Sequence, residues 1–343
     1  MTHDVDRAED GERLRRARIR AGLTQAALGE RSGVSRQTVA AIETGRHAPS
    51  VVAALAIARV LGASVEDLFG VGGDVPAIVG AAPVEGAGLR VGRVGSRLVA
   101  GAPADDPVSA GGWALFDGCW RDGSVEMYGD VDLDRLVVVG CDPALAIVEA
   151  LLERRGGYAV TSISAATGEA VRALGDGLCH AVVVHGPAGG LPVAPVAVQR
   201  FGFARWQVGL AVPGRHRVDT LDRVVAGRLG VVGRDGGAAS QQALDRALGP
   251  ASARLVARAG GHVDAARKAM ALGAAAVTME TAARVFALDF MALEEHEVEL
   301  WVAEAWAGHP AVEALLDVVA SRGFAGRVGA LGGYDLGSAA VRL

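Results

Sequence analysis

The sequence has almost no lysine, few aromatics, three cysteines and no long apolar run. Of 34 cationic side chains only Lys268 is a lysine, the other 33 being arginine. Cys119, Cys141 and Cys179 are an odd number and form no CxxC pair, which argues against a disulfide framework and against a structural zinc site. No stretch approaches the roughly 18 consecutive apolar residues of a membrane-spanning helix, although mean hydropathy is +0.30. Alanine, glycine and valine supply that hydropathy, as expected of a soluble protein from a GC-rich genome. The first ten residues, MTHDVDRAED, are acidic and polar, which excludes a secretory signal and leads us to expect a cytoplasmic protein. No Ser–His–Asp pattern, metal-ligand spacing or G-x-G-x-x-G loop is present, so catalysis is not expected and no cofactor or metal is implied.

What is present is a core-forming composition, 51% apolar with 21% charged, over 343 residues. That length suggests two or three domains, since one core rarely grows beyond roughly 250–300 residues. The net charge of −5 conceals a division: residues 11–61 carry +6, and residues 71–343 carry −6. A compact basic module on an acidic body is the pattern of a protein whose one domain meets phosphates.

Residues 12–69 read as five short helices. The first, Glu12–Ala21, stops at Gly22. Thr24 caps the second and Gly33 provides the turn that follows. Ser35 caps the third, Arg36–Glu43, and Gly45 ends it. Pro49-Ser50 opens a fourth, with Ala54, Ile57, Ala58 and Leu61 on one face. Ser64–Phe69 makes the fifth. Tight turns between short helices describe a helix-turn-helix bundle.

The segment Arg18-x4-Leu23-Thr24-Gln25-x2-Leu28 … Gly33-Val34-Ser35-Arg36-x2-Val39-x2-Ile42-Glu43-x-Gly45-Arg46-x2-Pro49-Ser50 resembles the XRE family of lambda-repressor-like DNA-binding domains. The resemblance implies that Gln25 bonds a backbone phosphate, that Arg36, Gln37 and Thr38 face base edges, and that Ser35, at the cap of the recognition helix, is also among the DNA-binding residues. Arg46 is expected to approach a phosphate, and Arg18 and Glu43 to form an internal ion pair. So small a module implies a homodimer on a two-fold double-stranded operator, with half-sites about 34 Å apart.

Residues 1–10 are expected to be a disordered tail, 11–70 the DNA-binding domain, and 71–88, with six glycines between Gly70 and Gly88, a linker. Residues 89–134 read as β-hairpins, Trp113, Phe116 and Trp120 making a small core. From 135 to 343 strands alternate with helices in two βαβαβ halves, which predicts a two-lobed α/β effector domain with crossings near Phe203–Pro213 and Glu294–Ala303. The whole is multidomain, an all-α N-terminal domain followed by an α/β body. Ligands gather where such strands end and helices begin, so the strand-end loops are candidate binding elements.

This region is similar to the periplasmic-binding-protein-like domain of molybdate-binding type. The carrying residues are Gly140-Cys141-Asp142-Pro143-Ala144-Leu145, His180-x4-His185, Gly209-Leu210, Gly233-Arg234, Glu280-x2-Ala283, Leu288-Asp289-Phe290 and Leu331-Gly332-Gly333-Tyr334-Asp335. The candidate ligand-binding residues are Cys141, Asp142, Ser162, Ser164, His185, Trp206, Asp235, Ser240, Glu280 and Tyr334. Alternatives stay open: Asp142 and Glu280 also suit helix caps, His185 a buried structural histidine, and Tyr334 a hinge contact. Cys141 suits a plain loop position, or a thiol held toward thiolate by a helix N-terminus.

One departure bears on the ligand. The loop after Gly233-Arg234 reads Asp235-Gly236-Gly237-Ala238-Ala239-Ser240-Gln241 where the family carries a Ser-Gly-Thr-Arg type sequence. An extra carboxylate there opposes a molybdate- or tungstate-like oxyanion and makes a small polar or cationic metabolite competitive. The expected function is a transcriptional regulator, of repressor type, whose effector closes the two lobes and changes operator binding. The alternative is a ligand-independent DNA-binding protein whose α/β body only dimerises or recruits a protein partner.

Overall fold

A computed structural model describes residues 11, 14–15, 17–19, 21–63, 65–69, 76–104, 116–129, 131–214 and 219–343. The expected tail at 1–10, and Trp113 of the expected small core, lie outside the described residues. The chain divides into two compact units, Met1–Asp74 with Gly95–Leu98, and Val75–Val94 with Val99–Leu343.

In the first unit, α1 (Gln25–Ser32), α2 (Arg36–Glu43), α3 (Val51–Leu61) and α4 (Val65–Phe69) follow helical residues at 17–19. The caps predicted from sequence are in place. Thr24 Oγ1 accepts from the Ala27 N–H, Ser35 Oγ from Thr38 and Ser50 Oγ from Ala53, each satisfying one orphan donor of a first turn. Gly33 sits at φ +69°, a left-handed conformation that costs a residue with a Cβ about 1–2 kcal/mol and glycine almost nothing. Leu14, Leu28, Val39, Ile42, Ile57, Ala58 and Leu68 close the core.

The second unit holds two sheets. The smaller consists of β1 (Ala77–Val79), β2 (Gly88–Val94), β3 (Arg97–Gly101), β4 (Gly118–Arg121) and β5 (Ser124–Met127), in the order β1-β3-β2-β4-β5. The expected linker thus contains a strand: β1 pairs in parallel with β3, a non-local contact that a Gly/Pro-rich stretch does not advertise. Arg90 on β2 is buried and ion-paired to Asp117 at 2.9 Å and to Glu149 at 2.7 Å. That bridge ties the small sheet to the helix bearing Glu149.

The larger sheet has the order β11-β10-β12-β9-β13-β8-β6-β7, with β14 (Tyr334–Asp335) beside β9. One half comprises β6 (Leu136–Gly140), α5 (Ala144–Arg155), β7 (Val160–Ser164), α6 (Thr167–Gly175) and β8 (Ala181–Gly186). The other comprises α7 (Thr220–Val225), β10 (Val231–Gly233), α8 (Ala239–Leu248), β11 (Leu255–Arg258), α9 (His262–Leu272), β12 (Ala275–Met279) and α10 (Glu280–Val285). In each half the first strand lies between the second and third. β6 and β12 are buried at every residue, as parallel strands covered on both faces must be.

The segments read as crossings are long strands. β9 (Val198–Val212) and β13 (Asp289–Ala303) pair antiparallel along their length, so the two halves share one sheet rather than forming two. The pairing shifts between Ala292 and Glu294. Gly209 admits this crowding, since a Cβ there would lie 2.1 Å from the Met291 carbonyl. Beyond the shift, His296 stands opposite Trp206, and Trp206 also pairs with Tyr334 on β14. The expected last helix, Ala311–Arg322, is α11 (Pro310–Val319), and a further helix that the sequence did not suggest follows it, α12 (Arg322–Leu331), capped by Ser321 accepting from the Phe324 N–H.

Candidate functional site

On the helix-turn-helix unit, α2 turns Val39 and Ile42 inward and leaves Arg36 and Gln37 exposed, with Thr38 half-buried. Thr38 Oγ1 also lies 2.8 Å from Ser35 Oγ, which stiffens the start of the helix. Arg18 Nε donates to Glu43 at 2.6 Å, forming the expected internal ion pair. The Gln25 amide donates to the same carboxylate at 2.7 Å. Glu43, the last residue of α2, thereby ties the end of that helix to Arg18 and to the first residue of α1. Arg46 is exposed, its Nε donating to Thr44 Oγ1.

In the body, the C-terminal ends of the parallel strands of both halves converge. Asp142, just beyond β6, is fully buried and its carboxylate accepts three protein donors. They are the Ala144 N–H at 2.8 Å, Trp206 Nε1 at 2.9 Å and the Tyr334 hydroxyl at 2.7 Å. Burial pushes its carboxyl above the ordinary range, and the three donors pull back. Asp142 therefore caps α5 and pins Trp206 and Tyr334, which places Tyr334 as a packing contact between strands. Burial and Asp142 together raise the Tyr334 phenol well above its usual value.

Beside this knot lies a chain of imidazoles. Cys141 Sγ is 3.2 Å from His185 Nε2, His185 Nδ1 is 2.8 Å from His296 Nδ1, and His296 Nε2 is 2.6 Å from Glu294 Oε1. The rings of His185 and His262, from opposite halves, lie 5.5 Å apart at a tilt of 52°, and the Trp206 ring lies 4.6 Å from His185. Burial drives His185 and His262 well below the ordinary imidazole range, and the Arg234 charge adds to it at both. Burial also lowers His296, against the pull of Glu294. Burial works against ionisation of Glu294, but Arg246 and His296 outweigh it and hold the carboxyl low.

Arg234 follows β10 and is 1% exposed. Its Nη2 donates to the Gly260 carbonyl at 3.0 Å, while Nε and Nη1 are buried without a partner. Among the described residues no carboxylate pairs with it. A buried charge is ordinarily paired, because stripping it of water costs several kcal/mol. The Ser240 hydroxyl at the start of α8 and His262 Nε2 are likewise buried and unpartnered. The arrangement leaves two buried guanidinium donors unpartnered, the chemistry that suits a small anion.

The remaining candidates are elsewhere. Asp235 is exposed and accepts from the Gly237 N–H at 2.9 Å, so the carboxylate expected to oppose an oxyanion is spent in its own turn. Glu280 pairs with Arg284 at 2.6 Å on one helix face. Ser162 belongs with Glu149, to which its N–H donates at 3.3 Å, and Ser164 bonds the Ala102 carbonyl through its N–H. The sequence reading left Arg234, His262, His296 and Glu294 out of the site. Arg234 stands in the Gly233-Arg234 motif, His262 opens α9, and His296 and Glu294 lie on a strand taken for a crossing.

A helix-turn-helix domain model matches residues 11–68 and a PBP superfamily domain model residues 148–320. An HTH-type transcriptional regulator of Methanothermobacter thermautotrophicus is 51% identical over 57 residues, covering 16% of this chain and 83% of that protein. One from Bacillus subtilis is 46% identical over 57 residues, covering 17% and 86%. A tungstate ABC transporter structure from Geobacter sulfurreducens is 14% identical, covering 57% of this chain and 98% of that one, with a TM-score of 0.40. The families matched are a DNA-binding one and a ligand-binding one. Residues 148–320 make up half of the chain, and its N-terminal bundle spans most of those short regulators, so the chain belongs to the HTH-type transcriptional regulators and to the PBP superfamily.

Proposed function

We propose that the protein is a cytoplasmic, dimeric DNA-binding regulator whose α/β body senses a small anion bound by Arg234. The observation that carries this reading is the buried guanidinium with two unpartnered donors and, among the described residues, no carboxylate paired with it. An oxyanion or small carboxylate accepting from Nε and Nη1 would supply both hydrogen bonds and the missing charge. The Ser240 hydroxyl and the N-terminus of α8 add donors nearby in sequence. Arg36, Gln37 and Thr38 of the exposed α2 face would read base edges, and Arg46 would anchor a phosphate.

Effector and operator must then change each other's affinity by the same factor. The test is a melting screen of the full-length protein with sulfate, phosphate, molybdate, tungstate and small carboxylates. A ligand present at 100 times its Kd stabilises by about 2.7 kcal/mol. A flat screen across all of these anions would favour the body serving only for dimerisation or protein recruitment.

A further inference from the structure

The same cluster holds a set of donors that the anion reading leaves unused. Cys141 Sγ, a ring nitrogen of His185 and a ring nitrogen of His262 all lie within 4.8 Å of one another, and all three residues are buried. Each follows or ends a different parallel strand, and both halves of the body contribute.

Proton placement decides what these donors can hold. The Glu294 carboxylate, ion-paired with Arg246, accepts from His296 Nε2. With its hydrogen on Nε2, His296 offers Nδ1 as the acceptor for a hydrogen on His185 Nδ1. His185 therefore presents a bare Nε2 to Cys141 Sγ. At His262, the Thr278 hydroxyl spends its proton on the His262 carbonyl at 2.8 Å, so its oxygen can only accept from Nδ1–H at 3.4 Å. Nε2 of His262 is left bare, buried and unpartnered. Two imidazole lone pairs and a thiol repel an oxyanion and suit a Lewis acid.

We infer that Cys141, His185 and His262 form a binding site for a thiophilic divalent transition-metal ion of the Zn2+ type, with its fourth position open. One thiolate and two imidazoles are a donor set that zinc takes, and three protein ligands leave room for an exogenous fourth. The His296–Glu294 relay is the outer support that fixes the tautomer and orientation of a metal-binding imidazole. On entry of the metal the Cys141 S–H bond breaks, the proton passes to solvent and an S–metal bond forms, with no change of oxidation state. Arg234 stands close enough to act on both imidazoles, so its charge opposes the ion unless an anion joins them. In that respect the inference rests on the reading above: the anion would complete the metal and neutralise Arg234 together.

The experiment titrates the full-length protein with Co2+ as a spectroscopic probe, followed by Zn2+, with sulfate and phosphate melts on the same samples. One equivalent of Co2+ should give a thiolate-to-cobalt charge-transfer band and tetrahedral visible bands, both removed by Zn2+. Cys141→Ser should abolish the charge-transfer band, whereas a persistent band would assign the metal to Cys119 or Cys179 and overturn the site. His296→Gln should weaken Co2+ binding about 10–100-fold, and His262→Gln should weaken it further. These two variants carry the test if Cys141→Ser does not fold. Absence of a thiolate band in the wild type, with Arg234-dependent anion stabilisation intact, removes the metal and leaves the anion. A thiolate band with no anion stabilisation does the reverse.

Discussion

Arg234→Met is the perturbation with the sharpest expected outcome, because it should move stability and binding in opposite directions. Methionine keeps the aliphatic stem and removes the charge. The guanidinium is buried with two donors unpartnered, and its side-chain hydrogen bond among the described residues runs from Nη2 to the Gly260 carbonyl. Losing that charge-assisted bond costs about 1.5–3 kcal/mol. Against it stands the desolvation of an uncompensated ion, several kcal/mol, and apolar replacement of buried charges has stabilised proteins by about 1–4 kcal/mol. We therefore expect the unliganded variant to gain about 1–3 kcal/mol, which raises Tm by roughly 2–12 °C at about 2–4 °C per kcal/mol. Anion binding should weaken by about 2–5 kcal/mol, a loss of roughly 30-fold or more. Thermal melts with and without each anion, together with titration calorimetry, read both quantities. An Arg234→Met protein that is less stable without anion, yet keeps its full anion-dependent shift, would refute the reasoning.

Other outcomes follow from the same structure. On DNA, Arg36→Ala should relax preference at one base pair by about tenfold or more, whereas Arg46→Ala should weaken all sequences alike and lower the salt slope by about one; anisotropy on selected and random duplexes distinguishes them. Glu149→Ala strands the buried Arg90 with Asp117 alone and should cost about 3–5 kcal/mol in denaturant unfolding. His180 is buried, with Nδ1 accepting from the Val137 N–H, and burial with help from His309 lowers its pKa to about 3. Its unfolded form binds a proton first, so its contribution is intact above about pH 6.5 and is lost as pH falls toward 3. His180→Asn should flatten the stability profile in that window by about 1.4 kcal/mol per pH unit.

The helix-turn-helix unit was legible because its signals are local. Thr24, Ser35 and Ser50 cap the helices they precede, and Gly33 turns where a positive φ is required. The parallel strands were legible too, since burial on both faces demands runs such as Leu136–Gly140. β1 was missed because its partner β3 lies beyond a glycine-rich stretch, and α12 because Gly323, Gly326 and Gly329 dilute its apolar pattern. The site was half-legible. Cys141, Asp142 and His185 stand in motifs at strand ends, and Trp206 falls within a segment read as a crossing. His296, by contrast, reaches His185 only through the β9–β13 register and its shift. Metal-ligand spacing was absent from the sequence because Cys141, His185 and His262 come from three separate elements far apart in the chain: the residue after β6, the end of β8 and the start of α9.

The central claim is that an anion at Arg234 changes what the helix-turn-helix unit does on DNA. The direct measurement is the binding isotherm of the full-length protein on a duplex it selects from random sequence, with and without whichever tested anion raises its melting temperature most. The account predicts a change in Kd of about fivefold or more for the wild type, the lower range of allosteric coupling, and none for Arg234→Met. Superimposable wild-type isotherms, at an anion concentration that demonstrably saturates the body, would contradict it.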